Sequence, residues 1–119
     1  MHAGRTVLIV ETEFIIGLGI SSVLETRFAA HPVVCRSASE AFDRAAEWSS
    51  ASLAVIELES NRPDLIELAR SISQSGIRVL GLSADSRLAS GVPGLPGTPI
   101  LIKPVPDDTI EAAIRDIGG

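Results

Sequence analysis

Thr6-Val7-Leu8-Ile9-Val10, followed at once by Glu11-Thr12-Glu13, is the stretch on which the fold turns. Its β-branched and aliphatic residues run without the three-and-four spacing of a helix and stop at acids, as in a strand buried on both faces. Working outward, three more runs have the same character: Leu53 to Ile56, Val79 to Leu82 and Ile100 to Ile102. A weaker run, Val33-Val34-Cys35, follows Pro32, which has no N–H for a ladder, so it is expected nearer a sheet edge. Between the runs, apolar residues fall three and four apart: Ile16, Ile20, Val23, Leu24 and Phe28; Leu65, Leu68, Ala69 and Ile72; Ile110, Ala113, Ile114 and Ile117. These spacings predict amphipathic helices. Strands alternating with helices imply right-handed βαβ units, hence an α/β, three-layer domain built on a five-stranded parallel sheet.

The punctuation agrees. Ser37-Ala38-Ser39-Glu40 reads as a capping box ahead of the Ala41 to Trp48 stretch. Pro63 suits the first turn of the third helix, which Gly76 ends. Pro106, Asp107 and Asp108 open the last helix, and Gly118 closes it. The segment Ser90 to Pro99 holds three prolines and three glycines, so a fourth helix must be short and followed by a loop.

At 119 residues the chain fits one domain spanning 1–119, and at 45% hydrophobic it can bury a core. Aromatic residues are 3% and tyrosine is absent, which argues against stacking platforms for single-stranded nucleic acid. A net charge of −5 argues against a phosphate-backbone binder. One cysteine, Cys35, allows no internal disulfide and suits a reducing compartment. The first apolar run stops at Glu11, too early for a signal segment or a membrane span. The expectation is a soluble cytoplasmic protein.

In an open parallel sheet, ligands bind beyond the carboxyl ends of the strands. Here those ends are polar: Glu11-Thr12-Glu13, Glu57-Leu58-Glu59, Ser83-Ala84 and Lys103-Pro104. Lys103 is the only lysine among ten basic residues, and its position directs an ammonium over the sheet edge toward the acids. The plainer reading is a lysine that snorkels from a strand end. Glu11 with Glu13, and Glu57 with Glu59, could act as paired carboxylates of a small α/β hydrolase, but each pair lies where its strand turns into a loop. Gly17 and Gly19 lie inside a helical pattern and point to close helix-sheet packing rather than a phosphate loop. His2 is expected in a frayed terminus, His31 in a loop, and Cys35 and Trp48 in or at the edge of the core.

Val7 to Glu13, Ala54-Val55-Ile56-Glu57-Leu58, Leu80-Gly81-Leu82-Ser83-Ala84 and Ile102-Lys103-Pro104, in that order, resemble the landmark strands of the receiver (response-regulator) domain of two-component signalling. The match spans about residues 5 to 117. The resemblance implies a flavodoxin-like sheet in the order 2-1-3-4-5 with five helices. It also implies an activity, acceptance of a phosphoryl group from a histidine kinase onto an aspartate at the third strand end, with magnesium bound.

Carried onto this sequence, the pattern is broken. Glu57 falls on the phosphoacceptor aspartate, Glu11 on the first acid of the first strand end, and Thr12 on the second, where an aspartate binds metal. Ser83 falls on the hydroxyl that turns toward the phosphoryl group, Lys103 on the lysine that pairs with it, and Glu59 where a backbone carbonyl serves the metal. Ile100 replaces the switch aromatic. Glutamate is one methylene longer than aspartate, and a misplacement of about 1 Å costs roughly 100-fold in an in-line transfer. Counting Glu11, Glu57 and Lys103 gives −2 + 1 = −1, one negative charge short of the family pocket, so magnesium binding is expected to be weak or lost, with Glu11, Glu57 and Glu59 as residual candidate ligands.

The expectation is therefore an atypical receiver domain, not an enzyme, acting without phosphorylation through a protein partner: a histidine kinase, an output protein or another regulator. Neither nucleic acid nor membrane is expected as a partner; a homodimer is allowed. The alternatives are a domain that is still phosphorylated and one that serves only as a scaffold. If the sequence is complete, with no DNA-binding or catalytic segment after Gly119, output is expected to run through that partner.

Overall fold

The computed structural model describes residues 2–118. Five strands, β1 (Thr6–Val10), β2 (His31–Cys35), β3 (Ala51–Glu57), β4 (Arg78–Ser83) and β5 (Ile100–Ile102), form one sheet in the order β2-β1-β3-β4-β5. All four pairings are parallel. The helices are α1 (Phe14–Phe28), α2 (Ala38–Asp43), α3 (Pro63–Gln74) and α4 (Asp107–Gly118). Short 3-10 turns cover Ala45–Ser50 and Ser86–Leu88.

Alternation along the strands divides the core in two, because successive side chains leave opposite faces of the sheet. Val7, Ile9, Leu53, Val55, Leu80 and Leu82 join Ile20, Leu24, Phe28 and Ile114 under α1 and α4. Leu8, Val10, Ala54 and Ile56 join Leu65, Leu68 and Ile72 on the other side, under α2 and α3. The strands therefore carry apolar residues at every position, which is why they read as unbroken runs. Gly81 is fixed by packing: a Cβ there would lie 2.5 Å from Ile100 Cδ1 and 2.7 Å from Leu58 Cδ1.

Several elements differ from the sequence reading. The second strand begins at His31, two residues before the apolar run, and Pro32 pairs with Val7 at the sheet edge, where its missing N–H costs no ladder bond. The Ala41 to Trp48 stretch is not one helix. Ser37 caps α2 by accepting from Glu40 N–H at 3.0 Å, and Glu40 Oε2 accepts from Arg36 N–H at 3.0 Å. The chain then tightens into a 3-10 turn at Ala45, and Trp48 Nε1 donates back to Ala41 O at 3.1 Å. After β4 a full helix is replaced by the Ser86–Leu88 turn and a loop pinned by buried Val92 and Leu95, and four α-helices rather than five are present among the described residues.

His2 is not frayed. It is 8% exposed, with Nδ1 2.6 Å from Ser52 Oγ and its ring edge-on to Phe28 at 6.2 Å. Ser52 is available because the β1–β3 register shifts there, leaving it between the residues paired with Thr6 and Val7. Gly17 is buried, but a Cβ there would lie 3.5 Å from Val34 Cγ1, an ordinary contact, and a Cβ at Gly19 would meet open space, so close helix-sheet packing requires neither glycine.

Candidate functional site

Parallel ladders continue one residue past the strands and set the site. Glu11 N–H donates to Cys35 O at 3.1 Å, Leu58 N–H to Leu82 O at 2.7 Å, and Lys103 N–H to Ser83 O at 2.8 Å. These bonds fix the backbones of the strand-end residues at one edge of the sheet, with Lys103 held between β5 and a cis Pro104.

Four of the expected site residues converge. Lys103 Nζ lies 3.0 Å from Glu11 Oε1 and 3.5 Å from Glu57 Oε2, and its side chain is only 8% exposed. Thr12 holds the other oxygen of Glu57 twice: its N–H donates to Oε1 at 3.1 Å and its hydroxyl at 2.6 Å. Thr12 thus clamps Glu57 by the oxygen that Lys103 does not contact.

Ser83 stands apart from this group. It is fully buried at the end of β4, but its hydroxyl donates to Glu59 Oε1 at 2.6 Å and accepts from Asp85 N–H at 2.9 Å. Glu59 also accepts from Ala84 N–H, at 3.1 Å, and Asp85 pairs with Arg87. Glu59 accordingly sits with the β4 loop and not with Glu57, and the two do not make a carboxylate pair.

The residue underweighted by the sequence reading is Glu13. Its Oε1 lies 3.6 Å from Lys103 Nζ, and one carboxylate oxygen each from Glu11, Glu13 and Glu57 lie within 4.8 Å of one another. The two-residue spacing of Glu11 and Glu13 was the signal in the sequence; Glu13 keeps extended backbone, φ −93° and ψ 108°, and both carboxylates reach the same ammonium. With Glu13 included, the pocket sums to −3 + 1 = −2 when all four groups are ionised.

Burial pushes the Glu11 carboxyl up to about 7, against the opposing hydrogen bonds from Lys103 and Glu13 N–H. For Glu57 burial also pushes upward, but the two Thr12 donors and Lys103 outweigh it and hold the carboxyl below its ordinary value. Lys103 is likewise desolvated, yet Glu11, Glu57 and Glu13 raise it above the ordinary lysine value. Glu11 Oε2 is buried with no hydrogen-bond partner among the described residues.

The magnesium ion that the resemblance implies does not fit this donor set as it stands. Magnesium demands near-octahedral oxygens at about 2.0–2.1 Å. Here the shared side of all three carboxylates faces the ammonium, and Glu57 Oε1 is committed to Thr12.

Beside the site, the start of α1 presents apolar surface. Ile15 is 82% exposed, Phe14 and Leu18 about half. Of these, Ile15 lines a groove of about 220 Å³ together with Ile16, Ile20, Lys103, Pro104, Val105 and Ile110.

Comparison with known proteins places the architecture. No family model matches the sequence, and no curated protein does. Solved structures do match. The Vibrio cholerae chemotaxis protein CheY4 superposes with a TM-score of 0.80 at 15% identity, over 97% of this chain and 99% of that one. The receiver domain of the Francisella response regulator 1452 gives 0.75 at 21% identity, over 97% of both chains. A response regulator from Thermotoga maritima gives 0.76 at 20% identity, over 97% and 98%. The chain thus has the fold of the response-regulator receiver domain.

Proposed function

We propose that this chain is a receiver-fold signalling module that works without being phosphorylated, as a binding partner and not as an enzyme. One observation carries the reading: both oxygens of Glu57 are engaged, Oε1 by two donors from Thr12 and Oε2 by Lys103. A phosphoacceptor must offer a free lone pair in line with the leaving group, and catalysis of the transfer is almost entirely positioning. The Ser83 hydroxyl donates to Glu59 and not to Glu57, and the Thr12 hydroxyl on the Glu57 side is itself spent on the carboxylate. A carboxylate turned toward Ser83 and Lys103 would imitate the charge of a phosphorylated site, but Glu57 leans on Thr12 instead of Ser83, which favours an inert pocket over such mimicry.

What remains for function is surface. The Phe14, Ile15 and Leu18 patch, rather than the altered face around the missing helix, supports contact with a protein partner of the signalling kind, a kinase, an output protein or another regulator. Such partners are met in the cytoplasm, where the buried thiol of Cys35 stays reduced.

Incubation with a small-molecule phosphodonor and magnesium, followed by intact-mass measurement, tests the reading. No adduct is expected. A phosphoryl adduct that disappears in Glu57→Ala overturns it.

A further inference from the structure

We infer that the Lys103 ammonium is the resident cation of the strand-end site, so that the intact protein takes up no divalent metal and removal of this one side chain opens a divalent-cation site on Glu11, Glu13 and Glu57. The inference goes beyond the proposed function, because it holds whether or not Glu57 accepts a phosphoryl group.

Three carboxylates surround one ammonium: Nζ of Lys103 hydrogen-bonds Glu11 at 3.0 Å and Glu57 at 3.5 Å, and Glu13 lies at ion-pair distance, 3.6 Å. Each of the three acids lends one oxygen to a set no more than 4.8 Å across, a span that a single hard cation bridges when its oxygen contacts are about 2.0–2.6 Å. The ammonium occupies that side of the acids, so a metal enters only if Nζ leaves.

Leaving is disfavoured. The lysine backbone is held by its bond to Ser83 O, and its side chain is 8% exposed, with little solvent to receive the head group. A tethered cation also competes intramolecularly, at an effective concentration in the millimolar range or above. Thr12 adds to the exclusion by holding the oxygen of Glu57 that the lysine does not use. Once the ammonium is gone, the three acids lose the one cation that pairs with all of them among the described residues, and Glu11 Oε2, already buried without a partner among those residues, is a further acceptor for the replacement.

Manganese titration read by electron paramagnetic resonance, with melting curves in magnesium at constant ionic strength, tests this on the full chain. The wild type is expected to show no saturable binding and no metal-dependent melting shift. Lys103→Met is expected to bind manganese at least ~10-fold more tightly, a change of about 1.4 kcal/mol, with a saturable rise in melting temperature. Adding Glu13→Gln to that variant abolishes the gain, whereas adding Glu59→Gln leaves it. Should Lys103→Met be unfolded without metal, refolding on addition of manganese supports the inference, and failure to refold overturns it. Saturable binding by the wild type, or a Lys103→Met variant indifferent to divalent cations, also overturns it.

Discussion

Thr12 and Glu57 act as a pair: the neutral hydroxyl supplies a donor to the carboxylate oxygen that Lys103 does not contact. Glu11, facing Glu13, Glu57 and Lys103, bears the cost of burial and titrates near neutrality. Its folded-state value, about 7, lies above the ordinary 4.5, so between those values the folded chain keeps a proton that the unfolded chain has released. Stability from this group therefore falls as pH rises through that window, by an amount on the order of 2–3 kcal/mol. Glu57, held low, acts elsewhere: its contribution is present above its ordinary value and is lost as pH falls through its lower folded value. Glu11→Gln, which cannot titrate, should gain on the wild type in denaturant midpoints as pH is raised from about 4.5 to about 7. A difference that stays flat across that range contradicts the assignment. The convergence of Glu11, Glu57 and Lys103 was legible in the sequence because strand ends fix the backbone. The side chains of Ser83 and Glu59 were not, since only the turn after β4 directs that hydroxyl away from Glu57.

Elements were legible where one physical signal dominated. The apolar runs of β1, β3 and β4 survive as strands because both sheet faces are covered, and the capping box at Ser37 starts α2 where its sequence says it should. Ser37→Ala removes the acceptor for Glu40 N–H and should cost about 1 kcal/mol in chemical denaturation, with the slope of the transition unchanged. Boundaries were less legible. The break at Arg44 and the 3-10 turn after it have no signal in the Ala41 to Trp48 stretch, where the buried indole and its bond to Ala41 O decide the path. His2 was misread because its partner Ser52 is fifty residues away and is freed only by a register shift. The loop that replaces a helix after β4 was legible from its prolines and glycines, but not that Val92 and Leu95 would bury in it.

At the scale of the molecule, no described helix is long and apolar enough to cross a membrane. The largest apolar exposure is at the start of α1, next to the acidic site. Ile15, 82% exposed, holds little of the fold together, so Ile15→Asp should leave the melting temperature within the effect of about 0.5 kcal/mol while lowering the binding of a hydrophobic dye. A large loss of stability shows instead that Ile15 packs against the protein itself. The central claim is that the pocket has one state, closed by Thr12 and Lys103, and that a phosphodonor does not change it. Amide correlation spectra of the labelled protein, recorded with and without a small-molecule phosphodonor and magnesium, test this most directly. The account predicts superimposable spectra; displaced amides around Glu57, Ser83 and Lys103 that return to place in Glu57→Ala would contradict it.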